Sequence, residues 1–146
     1  MEINGVAHVI LTVSNFEACL PFYEQMLGFL GLRQIIKNDE MLYYVGARTA
    51  IGIVRAEPQY RHERFAQRRV GLHHLCLRAR ERADVDTFYA FISKLGAKIV
   101  RPPEDGPWAP GYYSLLFEDP DGIRIELNHV PGKGLLAPGA PPLERY

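Results

Sequence analysis

Two stretches of this chain carry one pattern: Gly5-Val-Ala-His8-Val-Ile-Leu-Thr12 and Gly71-Leu-His-His74-Leu-Cys-Leu-Arg78, with His8 and His74 66 residues apart. Phe22-Tyr23 recurs as Phe88-Tyr89 at the same offset of 66, Leu30-Gly31 as Leu95-Gly96 at 65, and Tyr43-Tyr44 as Tyr112-Tyr113 at 69. A near-constant offset over four landmarks points to an internal duplication. Whatever one half folds into, the other must share.

Each half reads strand, helix, three strands. In the first, residues 6–13 alternate as a strand. Ser14 and Glu17 then offer a capping box before the helical spacing of Phe16, Leu20, Tyr23 and Leu27, and Pro21 predicts a kink or an irregular first turn. Gly28 and Gly31 end the helix, and strands follow at 32–37, 41–45 and 49–55. Residues 56–69, charged and holding Pro58, read as a linker with one helical turn. The second half repeats the order: a strand at 70–78, a helix capped by Asp84 and closed by Gly96, and strands at 97–101, 112–118 and 123–130. Pro102 to Gly111 is a loop holding Trp108, and Asp119-Pro120-Asp121-Gly122 is a turn, since Pro presets one torsion and Gly accepts positive φ. The tail 131–146 is rich in Pro and Gly and predicts no regular structure. The organisation is thus a single domain over 1–146, with module one at 5–55, the linker at 56–69, module two at 70–130 and the tail at 131–146.

Strand parity sorts the side chains. His8, Ile10 and Thr12 oppose Val9, Leu11 and Val13, while His74, Cys76 and Arg78 oppose His73, Leu75 and Leu77. On the last strand Ile123, Ile125 and Leu127 suit a helix-packing face, leaving Arg124, Glu126 and Asn128 on the other. On the strand before it Tyr113, Leu115 and Phe117 oppose Tyr112, Ser114 and Leu116.

The 17 basic and 17 acidic residues balance to zero, so nothing argues for nucleic acid or an anionic membrane as partner. Arg61, Arg64, Arg68 and Arg69 are interrupted by Glu63 and read as a solvated face. No apolar run approaches the roughly 20 residues needed to span a bilayer, and the N-terminus lacks a signal peptide's pattern, so a soluble cytoplasmic protein is expected. Cys19 and Cys76 make neither a disulfide framework nor a CxxC motif and read as reduced, packed thiols.

A paired βαβββ module with a histidine on each first strand, followed by Phe117-Glu-Asp-Pro-Asp-Gly-Ile-Arg-Ile-Glu126-Leu, resembles the vicinal oxygen chelate superfamily over residues 5 to about 130. That superfamily includes glyoxalase I, methylmalonyl-CoA epimerase, extradiol dioxygenases, fosfomycin-resistance thiol transferases and metal-free bleomycin-binding proteins. The resemblance implies an α+β fold of two tandem βαβββ modules whose mixed sheets form an open cup, with helices on the convex side. It also implies a homodimer and a small-molecule substrate or ligand. Carried over by position, the metal ligands are His8, His74 and Glu126. Two neutral imidazoles and a carboxylate suit a divalent ion such as Fe2+, Mn2+, Ni2+ or Zn2+ and leave positions open for water and substrate. Taken singly, each reads more simply as an ordinary polar residue, and it is the agreement of all three with the repeat register and the strand parity that favours metal binding. His8 could meet the other two within one chain or across two.

Other positions depart from particular relatives. Four-ligand members use a residue on the last strand of module one, and aligning Ile51-Gly52-Ile53 with Ile125-Glu126-Leu127 places Gly52 there. Extradiol dioxygenases carry a tyrosine where this chain has Leu116, and the fosfomycin transferases a threonine where it has Ile10. His73 is one residue out of register and reads as a packing residue on the helix side; His62 and His129 have no assigned partner. Around the site, Arg78 and Arg124 could hold a carboxylate or phosphate, or make rim ion pairs. Cys76 reads as an electrophile trap, a group behind the ligands or, more simply, an inert buried thiol. Trp108 and Tyr112 read as an apolar lid or as cover for the core. The expected function is a metal-dependent enzyme of the glyoxalase/dioxygenase type, a lyase, isomerase or dioxygenase acting on a small vicinally oxygenated metabolite. The alternatives are a metal-free, bleomycin-resistance-like sequestering protein and a dimeric scaffold without ligand.

Overall fold

Each half of the chain runs strand, helix, three strands, as the periodicity predicts. The computed structural model describes residues 1–139 and contains two compact units, Met1–Phe65 and the chain from Ala66 onward. The first unit comprises β1 (His8–Val13), α1 (Phe16–Phe29), β2 (Arg33–Lys37), β3 (Met41–Val45) and β4 (Ala50–Arg55). Its sheet has the order β1-β4-β3-β2, with β1 parallel to β4 and the other neighbours antiparallel. The second unit comprises β5 (Leu75–Arg78), α2 (Arg82–Lys94), β6 (Lys98–Asp105), β7 (Tyr113–Glu118) and β8 (Arg124–His129). Its order, β5-β8-β7-β6, repeats the first, again with the outer pair parallel. The parallel pair is what the intervening helix permits, because a hairpin can join only antiparallel strands.

Each sheet buries one face against its own helix. In the first unit Phe16, Phe22, Tyr23, Met26 and Leu27 of α1 are buried together with Leu11, Leu42, Ile51 and Ile53 of the sheet. In the second, Val85, Phe88 and Ile92 of α2 are buried with Leu115, Phe117, Ile125 and Leu127, and the rings of Phe88 and Phe117 lie 5.7 Å apart. Tyr113, on the same face, donates its hydroxyl to Asp86 of α2 at 2.7 Å. The parity of β7 and β8 is therefore as the sequence predicts.

Both helices stop in the same way. Leu30 and Leu95 are followed by Gly31 and Gly96 at φ +77° and +87°. Leu32 N–H donates to Leu27 C=O, and Ala97 N–H to Ile92 C=O, closing the helix ends with the left-handed residue that glycine supplies without strain.

The helix starts correct the sequence reading. Asn15, not Ser14, caps α1, accepting from Ala18 N–H at 3.2 Å. Ser14 instead accepts from Arg64 at 2.7 Å, and Glu17 pairs with Arg55. Arg82 opens α2, so Asp84 is its third residue rather than its cap: its carboxylate accepts from the backbone N–H of the capping Glu81 at 2.9 Å. Either register would satisfy the free N–H groups of the first turn. Pro21 lies inside α1, which runs unbroken through it.

Two strand boundaries also move. β5 begins only at Leu75, because Gly71 sits at φ +130° and residues 70–74 bend. β6 continues through Pro102-Pro103 to Asp105, where a loop was expected; it is the edge strand, and its pairing with β7 shifts register around Arg101. A proline costs no ladder bond on an open edge or at a bulge. In the linker Pro58–Tyr60 forms one 3-10 turn, and the tail makes another at Gly134–Leu136, against the expectation of none. Residues 140–146 lie outside the described residues. No helix among the described residues is long and apolar enough to cross a membrane.

Candidate functional site

Packing of Ile125 and Leu127 against α2 forces Glu126 onto the opposite face of β8. There it stands in register between Cys76 of β5 and Leu116 of β7. It is only 6% exposed. A carboxylate so far out of water must be compensated, and three groups do this. Tyr112 donates its hydroxyl to Oε1 at 2.8 Å, Arg101 approaches the same oxygen at 3.4 Å, and Nε2 of His74 lies 3.3 Å from Oε2.

Each of these groups is positioned in turn. The loop before β7 is closed by Gly106 N–H to Tyr112 C=O at 2.9 Å and Tyr112 N–H to Ala109 C=O at 3.0 Å. A Cβ at Gly106 would come within 3.1 Å of the Tyr112 ring and 3.2 Å of Trp108, so the glycine lets both aromatics lie against the backbone. Arg101 also donates to Ser114 Oγ at 2.9 Å and faces Glu104 at 3.4 Å. Nδ1 of His74 is 2.8 Å from Nδ1 of His73, so one ring carries the proton between them and its orientation fixes the tautomer of the other. His73 is thus not a packing residue on the helix side. Alternation starts only with β5 at Leu75, so parity fails at His73, although His74 meets Glu126 on the face expected for it.

These side chains border a cavity of about 640 Å³, within the range of small-molecule sites. Pro107, Trp108, Tyr112 and Leu116 give it an apolar wall, and His73, His74, Arg101 and Glu126 a polar one. Cys76, Arg78 and Arg124 do not line it. Arg124 makes a rim ion pair with Glu118 at 3.5 Å and donates to Gln67 at 2.7 Å, while Arg78 is exposed. Burial and the neighbouring Glu126 carboxylate raise the Tyr112 phenol, against a hydrogen bond from Asn128 that lowers it, so Tyr112 stays a neutral phenol that donates a hydrogen bond. Cys76 is exposed as a residue rather than buried. Its sulfur nonetheless loses solvent beside Glu126 and Tyr112, and desolvation followed by the carboxylate's charge pushes the thiol up to about 12. It is an unreactive thiol rather than a thiolate.

His74 and Glu126 come together in this module. Ligands at about 2.0–2.2 Å from one divalent ion, at tetrahedral or octahedral angles, stand roughly 3.0–3.5 Å from each other. The separation of 3.3 Å fits that requirement, and a neutral imidazole with a carboxylate is an apt donor pair. Within the module no third His, Cys, Asp or Glu joins them to make a three-ligand group among the described residues. His8 opens β1 in the first unit, exposed and in register with Ala50.

The register also tests the alignment of the two halves. Gly52 stands between Ile10 and Tyr43, as Glu126 stands between Cys76 and Leu116. Gly52 and Glu126 are therefore equivalent positions, as the sequence alignment predicts. Tyr43 is the counterpart of Leu116, which corrects the pairing of Tyr43-Tyr44 with Tyr112-Tyr113. Sequence reasoning missed Arg101 and Gln67, and it placed Ser114 on the site's face of β7 without giving it a role. Arg101 gave no signal because the register shifts on either side of it break the alternation that would have placed it.

Fold and sequence together define the class. The chain belongs to the Glyoxalase/Bleomycin resistance protein/Dioxygenase superfamily, which it matches over residues 5–127. It is 30% identical over 123 residues to the uncharacterized protein YqjT of Bacillus subtilis strain 168, covering 82% of this chain and 94% of that one. The crystal structure of a candidate glyoxalase from Bacillus halodurans superposes with a TM-score of 0.74 at 26% identity, over 87% of this chain and 96% of the other. Lactoylglutathione lyase from Agrobacterium tumefaciens superposes at 0.65 with 20% identity, over 88% and 96%, a likeness of fold alone.

Proposed function

We propose that the protein is a metal-dependent enzyme of the glyoxalase/dioxygenase type acting on a small vicinally oxygenated metabolite. His74, Glu126 and His8 would hold a divalent ion (Fe2+, Mn2+, Ni2+ or Zn2+). The observation that carries this reading is the 3.3 Å approach of His74 Nε2 to the buried Glu126 carboxylate at the wall of a small-molecule-sized cavity. When bound, such an ion supplies electrostatic stabilisation of negative charge on substrate oxygens. Tyr112 fixes the carboxylate and presents a protonated hydroxyl. His73 orients the His74 ring through its far nitrogen, the role that hydrogen-bond partners of metal-bound histidines serve. Trp108 and Leu116 keep water from the apolar side. Without a side chain at Gly52, proton transfer by a fourth ligand has no group to perform it, which disfavours the reactions that depend on one.

The test is metal content after purification without chelator and reconstitution with each of the four ions, for the wild type, Glu126→Ala and His8→Ala. Stoichiometric metal lost in both variants supports the reading. Equal, negligible metal in all three overturns it. In a homodimer, mixing His8→Ala with Glu126→Ala chains restores a fraction of the sites only if His8 comes from the second copy. A second reading, a metal-free binding protein, is favoured by one observation: Arg101 and Tyr112 already compensate Glu126. It predicts binding of a small apolar compound that chelator leaves unchanged.

A further inference from the structure

Arg101 sits beside Glu126 with its charge divided between two acceptors. Nη2 lies 3.4 Å from Glu126 Oε1 and Nη1 3.4 Å from Glu104 Oε1, while Nη2 is anchored on Ser114 Oγ at 2.9 Å. Glu126 is buried, whereas the Glu104 side chain is about half exposed at 55%. A guanidinium against a buried carboxylate fills the electrostatic place a divalent cation would take, and two such charges within a few ångströms repel strongly where water is scarce. A cation arriving at Glu126 must overcome that repulsion. Glu104 offers Arg101 a second acceptor on the same strand, so the guanidinium keeps a counter-charge when Glu126 is taken.

We propose that Arg101 is an internal counter-ion that competes with the divalent ion for Glu126, and that Glu104 sets the outcome by holding Arg101 when it yields. The inference rests on the metal-dependent reading above and adds what determines the site's affinity. Arg101 is a positioning residue: it acts through Glu126, and its effect is on binding before any reaction.

The experiment measures Zn2+ affinity by competition with a chromophoric chelator, with no substrate present, for the wild type, Arg101→Met, Glu104→Gln and the double variant. Glu126→Ala gives the adventitious baseline, and circular dichroism confirms folding. Arg101→Met is expected to bind Zn2+ on the order of 10-fold more tightly, the scale of a lost charge-assisted contact. Glu104→Gln is expected to bind several-fold more weakly, because Arg101 then clings to Glu126. In the double variant the Glu104 effect disappears, since the residue it acts through is gone; a mere change of local charge would instead add. Wild type that binds Zn2+ with Arg101→Met no tighter, or a Glu104 effect undiminished in the double variant, overturns this inference and leaves the metal reading standing. No binding above the Glu126→Ala baseline in either the wild type or Arg101→Met overturns both.

Discussion

Gly52 and Gly28 invite the same substitution with opposite results. A Cβ built on Gly52 stands 2.8 Å from Cδ2 of Tyr43 and 2.9 Å from the carbonyl oxygen of Leu42, both closer than real Cβ contacts. The ring can swing aside. The carbonyl cannot, because it belongs to β3, whose backbone is paired residue by residue with β4. Gly52→Ala must therefore push two sheet strands apart by a few tenths of an ångström or more, an overpacking error of about 1–3 kcal/mol. Gly28 lies inside α1, and a Cβ there meets nothing within 4 Å. Gly28→Ala removes only the unfolded chain's extra freedom and should stabilise by about 0.5–1 kcal/mol. Urea unfolding measures both. With a slope of about 2 kcal/mol per molar, the midpoints should move by roughly 0.5–1.5 M down and 0.2–0.5 M up. The only tryptophan, Trp108, lies in the second unit, so circular dichroism is the better probe of the first. A Gly52→Ala protein as stable as the wild type would mean that the Tyr43–Gly52 pairing is not as described.

Removing the Tyr112 hydroxyl in Tyr112→Phe leaves Glu126 Oε1 with the 3.4 Å contact to Arg101 alone. The lost bond to a buried charge should cost about 1.5–3 kcal/mol in urea unfolding of the metal-free protein, and an unchanged midpoint counts against the network. Asp105 pairs with Arg82 at 2.6 and 3.1 Å, and that hydrogen bond holds its carboxyl below the usual 3.8. A depressed folded-state pKa gives stability that is present above the unfolded value and lost as pH falls through the folded one. Asp105→Asn should thus trail the wild type at neutral pH, with the gap closing below about pH 4 and shrinking in 1 M salt, since the pair is exposed. A gap that widens in acid rules this out.

The sequence revealed the fold through periodicity and the site through parity, and each failed where its physical basis stopped. Alternation along β7 and β8 placed Glu126 opposite the helix-facing Ile125 and Leu127, because a strand buried on one face cannot slip by one residue without exposing its core. The same rule misplaced His73, since β5 is not yet a strand at that position. It was silent on Arg101, where irregular pairing next to Pro102-Pro103 breaks the count. Helix starts were displaced because Ser14, Asn15 and Glu17, or Glu81 and Asp84, can cap in more than one register, and only the tertiary partners Arg64 and Arg55 decide between the choices around α1. The Tyr-Tyr landmark failed for a different reason. Two aromatic pairs recur by composition in half-buried strands without occupying equivalent positions.

The two modules, compared at one pair of equivalent positions, present a carboxylate in one copy and no side chain in the other. In the second, Glu126 stands between Cys76 and Leu116, and the carboxylate's charge is met by Tyr112, Arg101 and His74. In the first, its counterpart Gly52 stands between Ile10 and Tyr43, and the Tyr43 ring lies 2.8 Å from where a Cβ would be. As packed, the Tyr43 ring and the Leu42 carbonyl together occupy the volume that a side chain at residue 52 would need. A side chain at residue 52 must displace the ring and press on the carbonyl, and a smaller residue at position 43 leaves a gap over the glycine. Packing therefore disfavours a ligating side chain at residue 52. Whatever binds at Glu126 must draw its further ligands from elsewhere than this position.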